Sequence, residues 1–254
     1  MNKKLLIPLL AILCLLLSCN KKKKEGADMD LYKSPELKEM AMASYDTVME
    51  FWTVDYDELW IETDFGRSHI IVCGPENAQP LFLFPGLFAD ATMWYANAGA
   101  LAKKYRVFCP DQMTYGGKSQ PAGKKIEDIK DYVHWFRQHL EYLGYTRAAV
   151  GGLSYGAWQA LAMAREIPDA VAAVVMLDPS ETFIKMDGGI AWRGFRDFAF
   201  FPNRRKYRRF FNWLGGGYSN EKADIWLEHM LDVIEYGAVG MFDVPQHRIY
   251  HAED

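Results

Sequence analysis

Between residues 81 and 177 the chain repeats one alternation that strongly limits its fold. Short apolar runs at 81–84, 106–109, 148–151 and 171–177 are separated by segments of helical period. The segment 93–104 reads as a helix with Lys103 and Lys104 in its last turn, where cations suit the helix dipole. Ile126, Ile129, Val133, Phe136, Leu140 and Leu143 recur every three or four residues; Glu127 and Asp128 open that helix and Gly144 closes it. A third helix spans 155–166, with Gly156, Ala160 and Ala164 forming a small-residue face. Strand-like runs at 58–63 and 68–73, joined by Asp64-Phe65-Gly66, precede the alternation as a hairpin. A helical spacing over 35–52 comes before them. Strands joined through helices place those helices on the sheet faces and run parallel, so an α/β domain with a largely parallel sheet is expected. From Ser180 the rhythm changes. Trp192, Phe195, Phe198, Phe200, Phe201, Tyr207, Phe210, Phe211 and Trp213 crowd together, 224–236 reads as a helix, and no further strand appears. This region reads as a helical cap over the sheet.

Half of the residues are hydrophobic and 24% are charged, which excludes disorder, collagen and coiled coil. A formal charge of −4 gives no general case for nucleic-acid binding. The 15% aromatic content points to an apolar pocket or interface. No Gly-x-Gly-x-x-Gly is present and the cysteine spacing fits no zinc site, so no cofactor or metal is expected. Gly116-Gly117-Lys118-Ser119 lacks the first glycine of a P-loop, since Gln112 stands there; it reads as a loop closing a strand.

The N-terminus carries its own signal. Asn2, Lys3 and Lys4 precede an apolar stretch of 13 residues, 5–17, too short to span a bilayer comfortably. Leu16-Leu17-Ser18-Cys19 follows and resembles a bacterial lipobox. That resemblance implies cleavage before Cys19 and acylation of it, leaving 236 residues with a formal charge of −6. The alternatives are an uncleaved anchor or an ordinary signal peptide. The expected organisation is a signal over 1–18, a tether over 19–34, the α/β core over 35–180, and the cap with an exit segment over 181–254. A membrane-anchored protein facing an extracytoplasmic space of the bacterial envelope is the corresponding location. Cys73 and Cys109 sit in apolar runs and read as buried thiols, although a disulfide is permitted outside the cytoplasm.

The residues that carry chemistry centre on Gly152-Leu153-Ser154-Tyr155-Gly156, a G-x-S-x-G motif between strand 148–151 and helix 155–166. A serine on so sharp a turn needs small neighbours, and the helix N-terminus beside it favours an anion. Upstream, Pro85-Gly86-Leu87-Phe88 ends a strand in a glycine turn that can aim backbone amides at a developing oxyanion.

These features together resemble the α/β-hydrolase superfamily, and more narrowly its bacterial carboxylesterase-type members with an N-terminal helix. The resemblance runs from about Tyr45 to the end. It rests on Phe65-Gly66, Pro85-Gly86-Leu87, Thr92-Met93-Trp94, Tyr105-Arg106-Val107, Asp111, Gly117-Lys118-Ser119, Gly152 to Gly156 and Leu177-Asp178-Pro179. Pro85-Gly86 stands where the family usually has His-Gly; backbone donors tolerate that change. The resemblance implies Ser154 as nucleophile, and Tyr155 with Leu87 (or Phe88) as oxyanion donors. The aromatic cap suggests an apolar acyl or alcohol group, and so a small hydrophobic ester-like substrate. A serine also disfavours the dehalogenase and epoxide-hydrolase branches, which use aspartate.

A serine hydroxyl needs a base. The family follows its cap with two strands carrying an acid and a histidine, and the sequence looks cut short within that pattern. Asp178 is a candidate acid, although a carboxylate at a strand end commonly caps a loop. His69 lies in a strand; His134 and His139 read as solvated or boundary residues, His229 as a structural residue of the cap, and His247 and His251 lie in the tail. Arg204, Arg205, Lys206, Arg208 and Arg209 form a basic cluster, read either as a solvated face or as a contact with anionic lipid. Two functions follow: an esterase acting by acyl transfer, impaired without the acid and histidine region, or a non-catalytic lipoprotein that binds a hydrophobic ligand under the cap.

Overall fold

The computed structural model describes residues 30–179, 182–199, 201–238 and 244–245. The signal segment, Cys19, His247 and His251 lie outside the described residues. Helix α1 (Pro35–Met49) starts where Ser34 caps the Leu37 amide and proline fills the first turn. The hairpin β1 (Tyr56–Thr63) and β2 (Gly66–Cys73) follows, then β3 (Gln79–Phe84). The expected helix 93–104 is shorter and split: a 3₁₀ turn (Ala91–Trp94), opened by the Asp90 side chain on the Thr92 amide, leads into α2 (Tyr95–Leu101). After β4 (Tyr105–Pro110), a two-residue β5 (Gln120–Pro121) that the sequence did not announce pairs with the start of β2. Helix α3 (Ile129–Leu143) begins three residues later than its apolar period, because Asp128 and Asp131 form a capping box there. Strand β6 (Ala148–Leu153), helix α4 (Tyr155–Glu166) and β7 (Val171–Leu177) complete the alternation.

The sheet order is β1-β2-β4-β3-β6-β7. The β1–β2 and β2–β4 pairs are antiparallel, and β4, β3, β6 and β7 run parallel. Its two faces are read directly from the period of two. Ile70, Val72, Phe82, Phe84 and Phe108 pack with Trp135, Phe136 and Trp158 of α3 and α4. The alternate residues Ile71, Cys73, Leu81, Leu83, Val107 and Cys109 pack with Tyr45 and Met49 of α1 and with Ala98 of α2. Each such side chain contributes roughly 1.5–3 kcal/mol on burial. Cys73 and Cys109 are free buried thiols. Among the described residues β7 is an edge, and its outer residues Val175 and Leu177 are 50% and 44% exposed.

Three helices form the cap: α5 (Gly188–Ala199), α6 (Arg204–Leu214) and α7 (Glu221–Tyr236). The aromatic run 192–213 is therefore a helix pair, with Asn203 capping the second member. Helix α7 lies against α1, and Tyr32 bridges Gly237. Leu31 and Tyr32 are buried in that contact, so packed chain begins inside the expected tether 19–34. Val244 returns to the main core beside α4, where the Pro245 carbonyl accepts from the Tyr155 hydroxyl at 2.7 Å.

Candidate active site

Ser154 occupies the turn between β6 and α4 with φ 53° and ψ −113°, a region that side-chain-bearing residues rarely adopt. The strain is held by its neighbours. A Cβ on Gly152 would overlap the backbone of Gly156, and one on Gly156 would overlap the Phe84 carbonyl. Only glycine at both positions lets β3, β6 and the first turn of α4 meet. The Ser154 amide donates to the Leu177 carbonyl at 2.9 Å, and its carbonyl accepts from the Ala157 and Trp158 amides at 3.1 Å.

The Gly86 loop closes over this turn. A Cβ built on Gly86 would stand 3.9 Å from the Ser154 Cβ. The Gly86 carbonyl accepts from the Ala89 amide at 3.0 Å and from the Tyr115 hydroxyl at 3.2 Å, fixing the loop. Phe88 takes φ 64° at its apex and stacks against Phe198 of α5. The amides of Leu87 and Phe88 make no hydrogen bond among the described residues. The structure thus brings Ser154, Tyr155, Leu87 and Phe88 together. Asp178 lies just beyond β7, exposed, with φ 45°.

The described histidines are committed elsewhere. His134 is exposed and pairs with Asp64 at 2.7 Å. His139 is not the solvated or boundary residue expected: it is fully buried, 3.0 Å from the Ser68 hydroxyl, and burial pushes its pKa down to about 3, so it is neutral. It lies on the α3 stripe that faces the sheet, one turn from Trp135, so its position and not its polarity decided its place.

The remaining two form buried ion pairs that sequence reasoning missed. Asp111, fully buried after β4, accepts from His69 Nδ1 at 2.7 Å, the Ala91 amide at 2.8 Å, the Lys118 amide at 2.8 Å and Tyr45 Oη at 3.4 Å. It occupies the space a Cβ on Gly117 would need, and Gly117 takes φ 72° to bring the Lys118 amide in. His69 Nε2 lies 3.2 Å from Glu58. Burial alone would lower the His69 pKa, but the Asp111 and Glu58 carboxylates outweigh it and raise it to about 9. In return the approach of His69 pulls Glu58 down to about 2.

His229 of α7 makes the second pair, with Nε2 2.7 Å from Asp90 Oδ2 and Nδ1 2.8 Å from Ser44 Oγ on α1. This resembles a Ser–His–Asp relay but cannot act as one. The Ser44 hydroxyl spends its proton on the Ala41 carbonyl at 3.0 Å, so it accepts from Nδ1–H while Nε2–H faces Asp90. His229 is then an imidazolium. Burial opposes that charge, but Asp90 overrides it and raises the pKa. Burial likewise opposes the Asp90 carboxylate, and His229 holds its pKa low. Asp90 also caps the turn after the Gly86 loop through Thr92. The pair therefore ties α1 and α7 to the segment beside Ser154. An aspartate among Phe88, Ala89 and Ala91, and a histidine one turn from the buried Val233, were the available signals.

Comparison with known proteins settles the family. Residues 79–231 match the family described as the alpha/beta hydrolase fold. The chain belongs to that family. The carboxylesterase nap of Bacillus subtilis (strain 168) is 32% identical over 154 residues, covering 59% of this chain and 51% of nap. Carboxylesterase YbfK of the same organism is 30% identical over 141 residues, covering 56% and 47%. The chain thus spans about half the length of these curated relatives. The crystal structure of naproxen esterase from Bacillus subtilis shares the fold, with a TM-score of 0.74, 23% identity, and coverage of 86% of this chain and 76% of that one.

Proposed function

We propose that this protein is a serine esterase of carboxylesterase type, with Ser154 as its nucleophile. The observation that carries this reading is the strained Ser154 turn, held open by Gly152 and Gly156 and faced by the Gly86 loop. The Ser154 hydroxyl oxygen attacks the ester carbonyl and gives its proton to a base. The carbonyl electrons move onto oxygen, where the amides of Tyr155 and Leu87 stabilise the charge at the N-terminus of α4. Collapse expels the alcohol, which takes that proton, and water then releases the acid from the acyl-serine. The aromatic cap side chains around Phe198 that reach Phe88 favour an apolar ester.

None of His69, His134, His139 and His229 suits the role of base, since each holds another partner. The base belongs to the region beyond the cap, where His247 and His251 are the first candidates, with Asp178 as the candidate acid. The same commitment of the histidines favours the second reading, a protein that binds a hydrophobic ligand without cleaving it. Attachment to the cell envelope through acylated Cys19 belongs to the proposal in either case. A series of p-nitrophenyl esters from acetate to octanoate tests the esterase reading. Turnover should rise with acyl length and vanish in Ser154→Ala; turnover that survives the substitution rejects it.

A further inference from the structure

The α5–α6 pair carries an asymmetry that ester chemistry does not explain. Residues 182–214 hold eight Lys and Arg against two Asp, in a chain of formal charge −4. Some of these cations are internal. Arg204 pairs with Glu228, Asp232 and Glu235 of α7, Arg208 pairs with Glu228, and Arg196 and Arg209 share the buried Asp197. Lys185, Arg193 and Arg205 are exposed and form no ion pair among the described residues. Arg205, Arg209 and Trp213 recur every four residues, one stripe of α6, and Arg193 of α5 lies 4.4 Å over the Trp213 ring.

Aromatic rings lie among these charges. Trp192 is 59% exposed, and Phe201, at the turn between the two helices, is 87% exposed. Phe201 takes φ 49°, a conformation bulky residues rarely adopt, and the Lys206 ammonium donates to its carbonyl at 3.1 Å. Beneath this surface Phe198 touches Tyr207, Phe210 and Phe211 and stacks on Phe88. Trp213, 40% exposed, joins this cluster through Phe210, so one exposed ring is linked through the cap to the loop beside Ser154.

The charges decide what covers such a surface. A protein core would have to bury Arg193 and Arg205 without carboxylates, which is costly. A second copy across a twofold axis would set these cations against themselves. An anionic lipid surface suits both components, since Trp rings sit at the headgroup level and Lys and Arg meet phosphates. We propose that the outer face of α5–α6 docks on an anionic membrane, with Trp192, Phe201 and Trp213 at the headgroup level and Lys185, Arg193 and Arg205 on lipid phosphates. This contact is independent of Ser154 and of any anchor at Cys19.

The test uses the full chain with phosphatidylglycerol or phosphatidylcholine vesicles whose acyl chains are brominated. Trp192→Phe and Trp213→Phe variants isolate the fluorescence of these two rings. Brominated phosphatidylglycerol should quench that component at a lipid concentration at least fivefold below phosphatidylcholine. The double variant Arg193→Glu/Arg205→Glu should abolish the difference with an unchanged circular dichroism spectrum, and Ser154→Ala should behave as wild type. Vesicle binding without quenching of the two rings would mean an N-terminal anchor alone, and would overturn the proposal. Lipid-free protection of the rings from acrylamide that grows with protein concentration would assign the face to a second copy, with the same consequence.

Discussion

Replacing His229 with alanine should be among the most damaging single changes outside the sheet. The side chains of His229 and Asp90 are 2% and 1% exposed and meet at 2.7 Å. Removing the imidazolium leaves the Asp90 Oδ2 charged and buried, while Oδ1 keeps only the Thr92 amide and hydroxyl. The Ser44 hydroxyl also loses its donor. Breaking a buried pair from one side costs about 3–5 kcal/mol, a large part of the roughly 5–15 kcal/mol that holds a domain. For a chain of this length that is a drop of about 10 °C in Tm. Urea unfolding followed by tryptophan fluorescence reads the free energy. His229→Ala/Asp90→Asn should recover at least about 1 kcal/mol relative to His229→Ala, because the orphaned charge is gone. The pH dependence has a defined sign. The raised pKa of His229 makes its contribution complete below its ordinary 6.5 and lost as pH rises through the folded value. The lowered pKa of Asp90 makes its share present above 3.8 and lost as pH falls through the folded value. The gap between wild type and variant should therefore be widest between pH 4 and 6.5, set by those two ordinary values, and should narrow on the alkaline side. A cost below about 1 kcal/mol at pH 6, or no recovery in the double variant, would refute the pairing.

For His69, whose pKa is raised to about 9, the stabilisation is complete below 6.5 and lost through about 9. Urea midpoints of wild type and His69→Gln should accordingly differ at pH 6 and converge by about pH 10. Cys19→Ala should move the protein from the detergent to the aqueous phase on partitioning; wild-type protein that already stays aqueous would contradict the lipobox. Val175 of β7, an edge strand among the described residues, is 50% exposed, and Val175→Lys should lower self-association in analytical ultracentrifugation.

The parts of the fold legible in sequence were those where local signals agreed. Helix α4 and strand β7 have the boundaries that the G-x-S-x-G turn and the apolar run 171–177 announce. The start of α3 was misjudged because Ile126 continues the apolar period, while the backbone obeys the Asp128 cap. The helix after the Gly86 loop was overextended because its apolar content hides a change from 3₁₀ to α geometry at Trp94. At the candidate site, the motif spacing located Ser154 and the Gly86 loop. The charge network around Asp90 and Asp111 was invisible because its histidine–aspartate partners lie 139 and 42 residues apart in sequence. A buried carboxylate announces itself only when its counter-ion is known, and the counter-ions sit on β2 and α7.

The nucleophile is tested most directly by covalent labelling. A fluorophosphonate probe reacts only with a serine whose oxygen is activated and whose adduct finds oxyanion donors. After prolonged incubation and peptide mapping, the phosphonyl mass should fall on Ser154 alone, and Ser154→Ala should take up none. A label on any other residue, or uptake that persists in the alanine variant, would contradict the assignment of Ser154.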